Sequence, residues 1–245
     1  MIAIILAAGM ASRLRPLTNN TPKCLLKIGE RSLLQRSIDA LIINGIKEFV
    51  IVTGYLHNQI EDFVKQQYPD INISFIHNEI YNSTNNIYSL WLARPIAEGK
   101  EILLLDSDLL YDPKIITRVL NASAENILTL IRHDLGEEEM KVVTDGGSDG
   151  NIIEISKTCS PADAIGESLG IEKMGKSYTT ALYKELEPMM NKEHLENVFY
   201  EKAFERLISK GQTFKVLDVT DLFSCELDTV EDFTNAKEKI PHTLY

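Results

Sequence analysis

Three observations predict an α/β protein built on a mainly parallel sheet with helices on both faces. The strand candidates are continuous apolar runs, Ile2 to Leu6, Phe49 to Thr53 and Glu101 to Asp106, and a strand apolar along its length must be covered on both sides. Helical patterns alternate with these runs, which implies right-handed crossovers and parallel neighbours. From residue 133 to about 175 the rhythm changes to glycine-rich, strand-like segments, which predicts a small antiparallel insertion. The 245 residues are read as a single domain, 1–245, a length that α/β domains reach with a large core.

The elements follow in order. Ile2 to Leu6 is a buried strand that ends in Ala7-Ala8-Gly9, small residues that let backbone approach a ligand closely. Ser32 to Gly45 begins on a capping residue, places Leu34, Ile38, Leu41 and Ile42 on one face and stops at Asn-Gly, which is a helix. The strand at Phe49 to Thr53, a helix from His57 to Tyr68 and a strand from Ile71 to Ile76 come next. An amide-rich stretch from His77 runs into an amphipathic helix near Arg94. Glu101 to Asp108 is a strand ending in two carboxylates, and Asp112-Pro113 caps a helix to Leu120. Ile127 to Ile131 is a strand, Lys141 to Lys157 two strands joined by a glycine-rich hairpin, and Gly166 to Met174 another strand. Tyr178 to Met190 and Leu195 to Lys210 read as helices and Thr213 to Val219 as a strand. Thr229 and Asp232 form a capping box that opens a last helix to Lys239.

With 36 acids against 25 bases the formal charge is −11, which argues against a nonspecific nucleic-acid or anionic-membrane binder. Cys24, Cys159 and Cys225 are irregularly spaced, as expected of reduced thiols in a cytoplasmic protein. The apolar start lacks a basic flank and a cleavage site, and no run is long enough to span a bilayer. Against this acidic background the opening loop is an anomaly. Between Met1 and Lys27 no acid occurs, while Ser12, Arg13, Arg15 and Lys23 gather around the backbone N–H groups after Leu6, at Ala7, Ala8 and Gly9. Donors and positive charge at the carboxyl end of a parallel strand suit phosphate.

Carboxylates recur in two pairs. Asp106 and Asp108 lie two apart at the end of a strand and share a face, so both can approach one ion. Glu226 and Asp228 are spaced in the same way on extended chain, just before the last helix. The five histidines form no catalytic constellation with serine or cysteine.

The order Leu-Ala-Ala-Gly-x-x-Ser-Arg-Leu-x-Pro-x-Thr, followed by Pro-Lys-x-Leu, resembles the signature of the nucleotidyltransferases that join a nucleoside triphosphate to a phosphorylated small molecule. Ala11 departs from the pattern, since many members carry a second glycine there. The resemblance runs over nearly the whole chain and implies a Rossmann-like sheet of the nucleotide-diphospho-sugar transferase type. It implies that Arg13 and Lys23 hold the triphosphate with catalytic effect, that Leu6, Ala7, Ala8, Gly9 and Ser12 line the nucleotide, and that Asp108, Glu226 and Asp228 bind Mg2+. Asp106 is then a further nucleotide contact. Thr84-Asn85-Asn86-x-x-Ser89-Leu90 is similar to the cytidylyltransferase branch and implies Asn85, Asn86 and Ser89 beside the cytosine of CTP.

For the acceptor, the resemblance implies Lys141 and Lys157 on its phosphate, and Glu167, Tyr200 and Glu201 around its remaining part, with Phe199 beside them. Asp134, Glu137, Glu138 and Glu139 add acid to this end of the chain. Carboxylates suit an ammonium, and a primary one in particular because it donates hydrogen bonds. The position of an aromatic in the phosphocholine enzymes falls near Met140, which leaves a trimethylammonium cage incomplete. The expected reaction is transfer of CMP from CTP to phosphocholine, phosphoethanolamine or 2-aminoethylphosphonate with release of pyrophosphate. Three other readings remain: a sugar-1-phosphate nucleotidylyltransferase using UTP, dTTP or CTP, a glycosyltransferase using Asp106-Ser107-Asp108, and a regulatory homologue without chemistry.

Overall fold

The computed structural model describes residues 1–147 and 150–244. Its elements are β1 (Ile2–Ala7), β2 (Lys27–Ile28), β3 (Arg31–Ser32), α1 (Leu33–Ile43), β4 (Glu48–Thr53), α2 (His57–Gln67), β5 (Asn72–His77), α3 (Asn86–Leu92), α4 (Arg94–Ala97), β6 (Ile102–Asp106) and β7 (Leu109–Tyr111). They continue through α5 (Lys114–Asn121), β8 (Ile127–Ile131), β9 (Lys141–Thr144), β10 (Ile152–Ser156), β11 (Gly166–Met174), α6 (Lys176–Asn191), α7 (Glu201–Ile208), β12 (Lys215–Asp218), β13 (Ser224–Glu226) and α8 (Val230–Lys239).

The main sheet runs β10-β9-β11-β6-β1-β4-β5, with β8 on β11 and β12 on β8. Strands β6, β1, β4 and β5 are parallel, and β11 pairs antiparallel with β6, β8 and β9. The expected antiparallel segment is therefore knitted into the main sheet through β11. The tip of its hairpin, Ser148 and Asp149, lies outside the described residues.

Strand β1 shows why the apolar run is continuous. Ile2, Ile4 and Leu6 enter the core under α3 and α6, while Ala3, Ile5 and Ala7 enter the core under α1, α2 and α5. Ile4 and Ile5 have no exposed surface, and burial of each stabilises the fold by about 1.5–3 kcal/mol. Chain order reverses at β1, between β4 on one side and β6 on the other, so the crevice beyond its carboxyl end is where a ligand is expected.

The caps behave as their residue types require. Ser32 accepts from the Gln35 N–H at the start of α1, and Thr229 with Asp232 completes the capping box of α8. The Asp112 carboxylate accepts from the Lys114 N–H. One helix is shorter than its pattern suggests. Only Glu201–Ile208 of the expected 195–210 stretch is α-helical. His194 is left-handed at φ 54, the Glu196 carbonyl accepts from the Asn85 N–H, and the Tyr200 N–H donates to the Asn86 side chain. Backbone groups in residues 194–200 are thus committed to the start of α3 in place of a helical turn.

Candidate active site

A third apolar cluster decides the geometry of the site. Leu14, Leu26, Ile28 and Leu33 from the opening stretch pack with Leu110, Leu227 and Phe233, so the cationic loop is fastened to the C-terminal carboxylate segment. Strand β13 pairs antiparallel with β7, setting Glu226 opposite Leu109. Asp108, at the exit of β6, and Asp228, just past β13, thereby face one another across Lys23. All of them open into a cavity of about 730 Å³ at the carboxyl end of β1.

The Lys23 ammonium lies 2.9 Å from Asp108 Oδ2 and 2.8 Å from Asp228 Oδ1, with 11% of its side chain exposed. Burial opposes its charge, yet the two carboxylates outweigh that and raise its pKa above the usual lysine value. The Arg13 guanidinium donates to the other oxygen of Asp228 at 2.5 Å. Burial works against ionisation of Asp228 as well, but Lys23 and Arg13 hold it below the ordinary carboxylate range. Glu226 goes the other way. Although its side chain opens onto the cavity, desolvation and the repulsion of Asp108 and Asp228 push its carboxyl up to about 8.

Oxygens of Asp108, Glu226 and Asp228 lie within 4.8 Å of one another. Asp108 Oδ1 is buried with no hydrogen-bond partner. Three clustered carboxylates, with one oxygen of Asp108 unsatisfied, fit a hard divalent cation with oxygen preference.

On the nucleotide side, Leu6, Ala7, Ala8 and Gly9 line the cavity, and a Cβ added at Gly9 would meet nothing within 4 Å. Ser12 does not line it. Ala11 sits at φ 46 and ψ 53, the left-handed region, which explains why a glycine is at home there. Asn85, Asn86 and Ser89 all reach the cavity wall, but each also has work within the protein. Asn85 caps α3 by accepting from the Asn86 N–H, Asn86 Oδ1 accepts from the Tyr200 N–H at 2.9 Å, and Ser89 accepts from the Asn78 amide at 3.2 Å. Asn78, just past the end of β5, lines the cavity as well.

At the acceptor end, the structure redistributes the expected residues. Lys141 is 1% exposed and donates to the carbonyls of Gly136 and Glu139, so it tethers that loop and does not face the cavity. Tyr200 is likewise buried under the floor, where its hydroxyl donates to Asp106 Oδ2 at 3.0 Å. Asp106 stays on the wall, packed against Gly170, whose positive φ and missing Cβ admit it; a Cβ there would stand 2.7 Å from Asp106 Oδ2. Burial, then the neighbouring carboxylates, raises the pKa of Asp106 well above the usual range, and the same causes act on fully buried Glu172.

Lys157, Glu167 and Glu201 do line the cavity. The Lys157 ammonium sits 4.8 Å from the centre of the Phe199 ring and 3.6 Å from Glu138. Glu201 is 7% exposed, its Oε2 has no hydrogen-bond partner, and burial pushes its carboxyl up to about 7. His133, which the sequence did not single out, stands beside them. One ring nitrogen is 2.9 Å from the Asp134 carbonyl and the other 2.7 Å from Glu167. Burial opposes a charge on the ring, but Glu167 prevails and the pKa of His133 lies above the usual histidine value.

Residues 2–156 match the model of the nucleotidyl transferase family. The chain belongs to this family. Among its relatives, CTP:phosphoglutamine cytidylyltransferase of Campylobacter jejuni is 26% identical over 98% of this chain and 100% of that one. Choline-phosphate cytidylyltransferase of Haemophilus influenzae is 35% identical, covering 63% of this chain and 62% of that one. The solved structure of CTP:phosphocholine cytidylyltransferase from Streptococcus pneumoniae superposes with a TM-score of 0.77 at 22% identity over 97% of this chain and 98% of that one, which shows the shared nucleotidyl transferase fold. Among the described residues no helix is long and apolar enough to cross a membrane.

Proposed function

We propose that this nucleotidyl transferase moves CMP from CTP to a small phosphorylated amino alcohol or an aminoalkyl phosphonate, releasing pyrophosphate. The observation that carries the reading is the pairing of two subsites in one cavity. One holds Arg13 and Lys23 against Asp108, Glu226 and Asp228; the other holds a buried Glu201, one of whose oxygens has no partner, beside Phe199. The names of the cytidylyltransferase relatives support it.

Two polyanions must meet in this reaction, so fixed positive charge is the first requirement. Arg13 and Lys23 supply it to the triphosphate. Asp108, Glu226 and Asp228 would hold Mg2+, which when bound offsets charge on the α-phosphate and the departing pyrophosphate. An oxygen of the acceptor's phosphoryl or phosphonyl group attacks the α-phosphorus, that P–O bond forms, and the bond to the β-phosphate oxygen breaks. A phosphomonoester has a second pKa near ~6, so its nucleophilic oxygen is already deprotonated at neutral pH and no base is needed. Positioning and charge stabilisation then carry the rate.

The acceptor's ammonium is assigned to Glu201, whose buried oxygen would gain a hydrogen-bonded partner, with the Phe199 face beside it. Lys157 supplies positive charge toward the acceptor's phosphate, and His133, whose pKa Glu167 raises, stands beside it. Competition between phosphocholine, phosphoethanolamine, 2-aminoethylphosphonate and glucose 1-phosphate for turnover with CTP and Mg2+ tests the reading. A nitrogen-bearing acceptor is expected to win, and clear preference for glucose 1-phosphate would overturn it.

A further inference from the structure

We propose that Lys23 is a resident stand-in for the divalent cation, so that metal and triphosphate enter the site as one complex and neither binds well alone. The inference rests on the carboxylate trio being the cation site, as argued above. Its ammonium bridges two of the three carboxylates at 2.9 and 2.8 Å, almost withdrawn from solvent. Arg13 takes the remaining oxygen of Asp228. In the ligand-free protein the groups meant for phosphate are thus spent on the groups meant for metal.

The consequence is a thermodynamic coupling. A cation arriving alone must evict the Lys23 ammonium from Asp108 and Asp228 and leave it buried beside a new double charge with no anion to receive it. A triphosphate arriving alone meets Lys23 and Arg13 already engaged with Asp108 and Asp228. When both arrive together, each ligand releases the partner the other needs: the cation takes the carboxylates, and the phosphate oxygens take the ammonium and guanidinium. Coupling of this kind is reciprocal, and the two ligands raise one another's affinity by the same factor. Asp108 Oδ1 is left without a partner even with Lys23 in place.

Charge alone does not account for the arrangement, and Arg13 provides the control. It touches one carboxylate from the rim with 63% of its side chain exposed, whereas Lys23 spans two from within.

The test titrates the full chain with Mn2+ alone, following free Mn2+ by electron paramagnetic resonance, and measures CTP binding calorimetrically with and without Mg2+. Wild type is expected to bind Mn2+ weakly without nucleotide. Lys23→Met and Lys23→Gln should each bind it at least about tenfold more tightly, Arg13→Ala much less so, and the Mg2+ dependence of CTP affinity should shrink in the two Lys23 variants. Asp108→Asn added to either Lys23 variant should abolish the gain. Mn2+ affinity unchanged or weakened in both Lys23 variants overturns the stand-in while leaving the proposed transfer reaction intact. A gain equal in Arg13→Ala reduces the effect to general electrostatics and overturns it as well. A gain that survives Asp108→Asn places the cation elsewhere, and the carboxylate trio then fails along with the stand-in.

Discussion

Replacing Glu201 by glutamine removes one buried ionisation and keeps the shape of the side chain. Burial disfavours the charge of the Glu201 carboxyl and pushes it up to about 7, against an ordinary 4.5. The folded state therefore binds the proton more tightly than the unfolded state, and stability must fall as pH rises from about 4.5 to about 7, then level off. At 1.36 kcal/mol per pKa unit, the shift amounts to about 3 kcal/mol in all, most of which falls between pH 5 and pH 8. Other raised carboxyls, Asp106, Glu172 and Glu226, share this sign, so the informative quantity is the difference between variant and wild type. Urea unfolding of both proteins at pH 5 and pH 8, without metal or nucleotide, measures it. Glu201→Gln should gain about 2 to 3 kcal/mol on wild type over that interval. Parallel pH profiles would refute the assignment of a buried, unpaired carboxyl at this position, and with it the reason for placing an ammonium there.

Asp108→Asn and Asp228→Asn should each abolish turnover with an unchanged fold, since each removes charge from the trio; wild-type rates in both would end the metal assignment. Because the Glu226 carboxyl holds its proton up to about 8, cation and proton compete, and Mn2+ affinity should climb between pH 6.5 and pH 8.5; a flat profile would contradict this. Tyr200→Phe strips the hydroxyl donor from Asp106, which should cost about 1–3 kcal/mol of stability by urea unfolding, and a neutral result would show that the carboxyl does not depend on it. Arg13→Ala should raise KM for CTP and lower kcat, and an unchanged CTP response would leave the guanidinium a surface partner of Asp228.

Local patterns carried much of the fold into the sequence. The two-sided burial of β1, the Ser32 cap, the Thr229–Asp232 box and the run of parallel strands all follow from neighbours within a few residues. The cationic loop and the paired carboxylates were visible too, since their spacing survives in one dimension. What the sequence withheld depends on distant partners. The pairing of β13 with β7 that brings Glu226 to Asp108 joins residues more than a hundred apart. Residues 195–200 read as the start of a helix, but the Glu196 carbonyl and the Tyr200 N–H are taken by the start of α3. Lys141 is expected on the acceptor's phosphate, yet two loop carbonyls take its ammonium inward. Asn78 and His133 belong to the cavity only because β5 and β8 end there, and no local signal distinguishes them from other polar residues at strand ends.

Phosphorus NMR of a reaction containing the protein, CTP, Mg2+ and phosphoethanolamine tests the central claim most directly, because it reads the bonds themselves. Cytidylyl transfer predicts pyrophosphate growing in step with a new diphosphate diester that contains the acceptor's phosphorus. Release of inorganic phosphate, or turnover only when a hexose phosphate replaces every phosphorylated or phosphonylated amine, would contradict it.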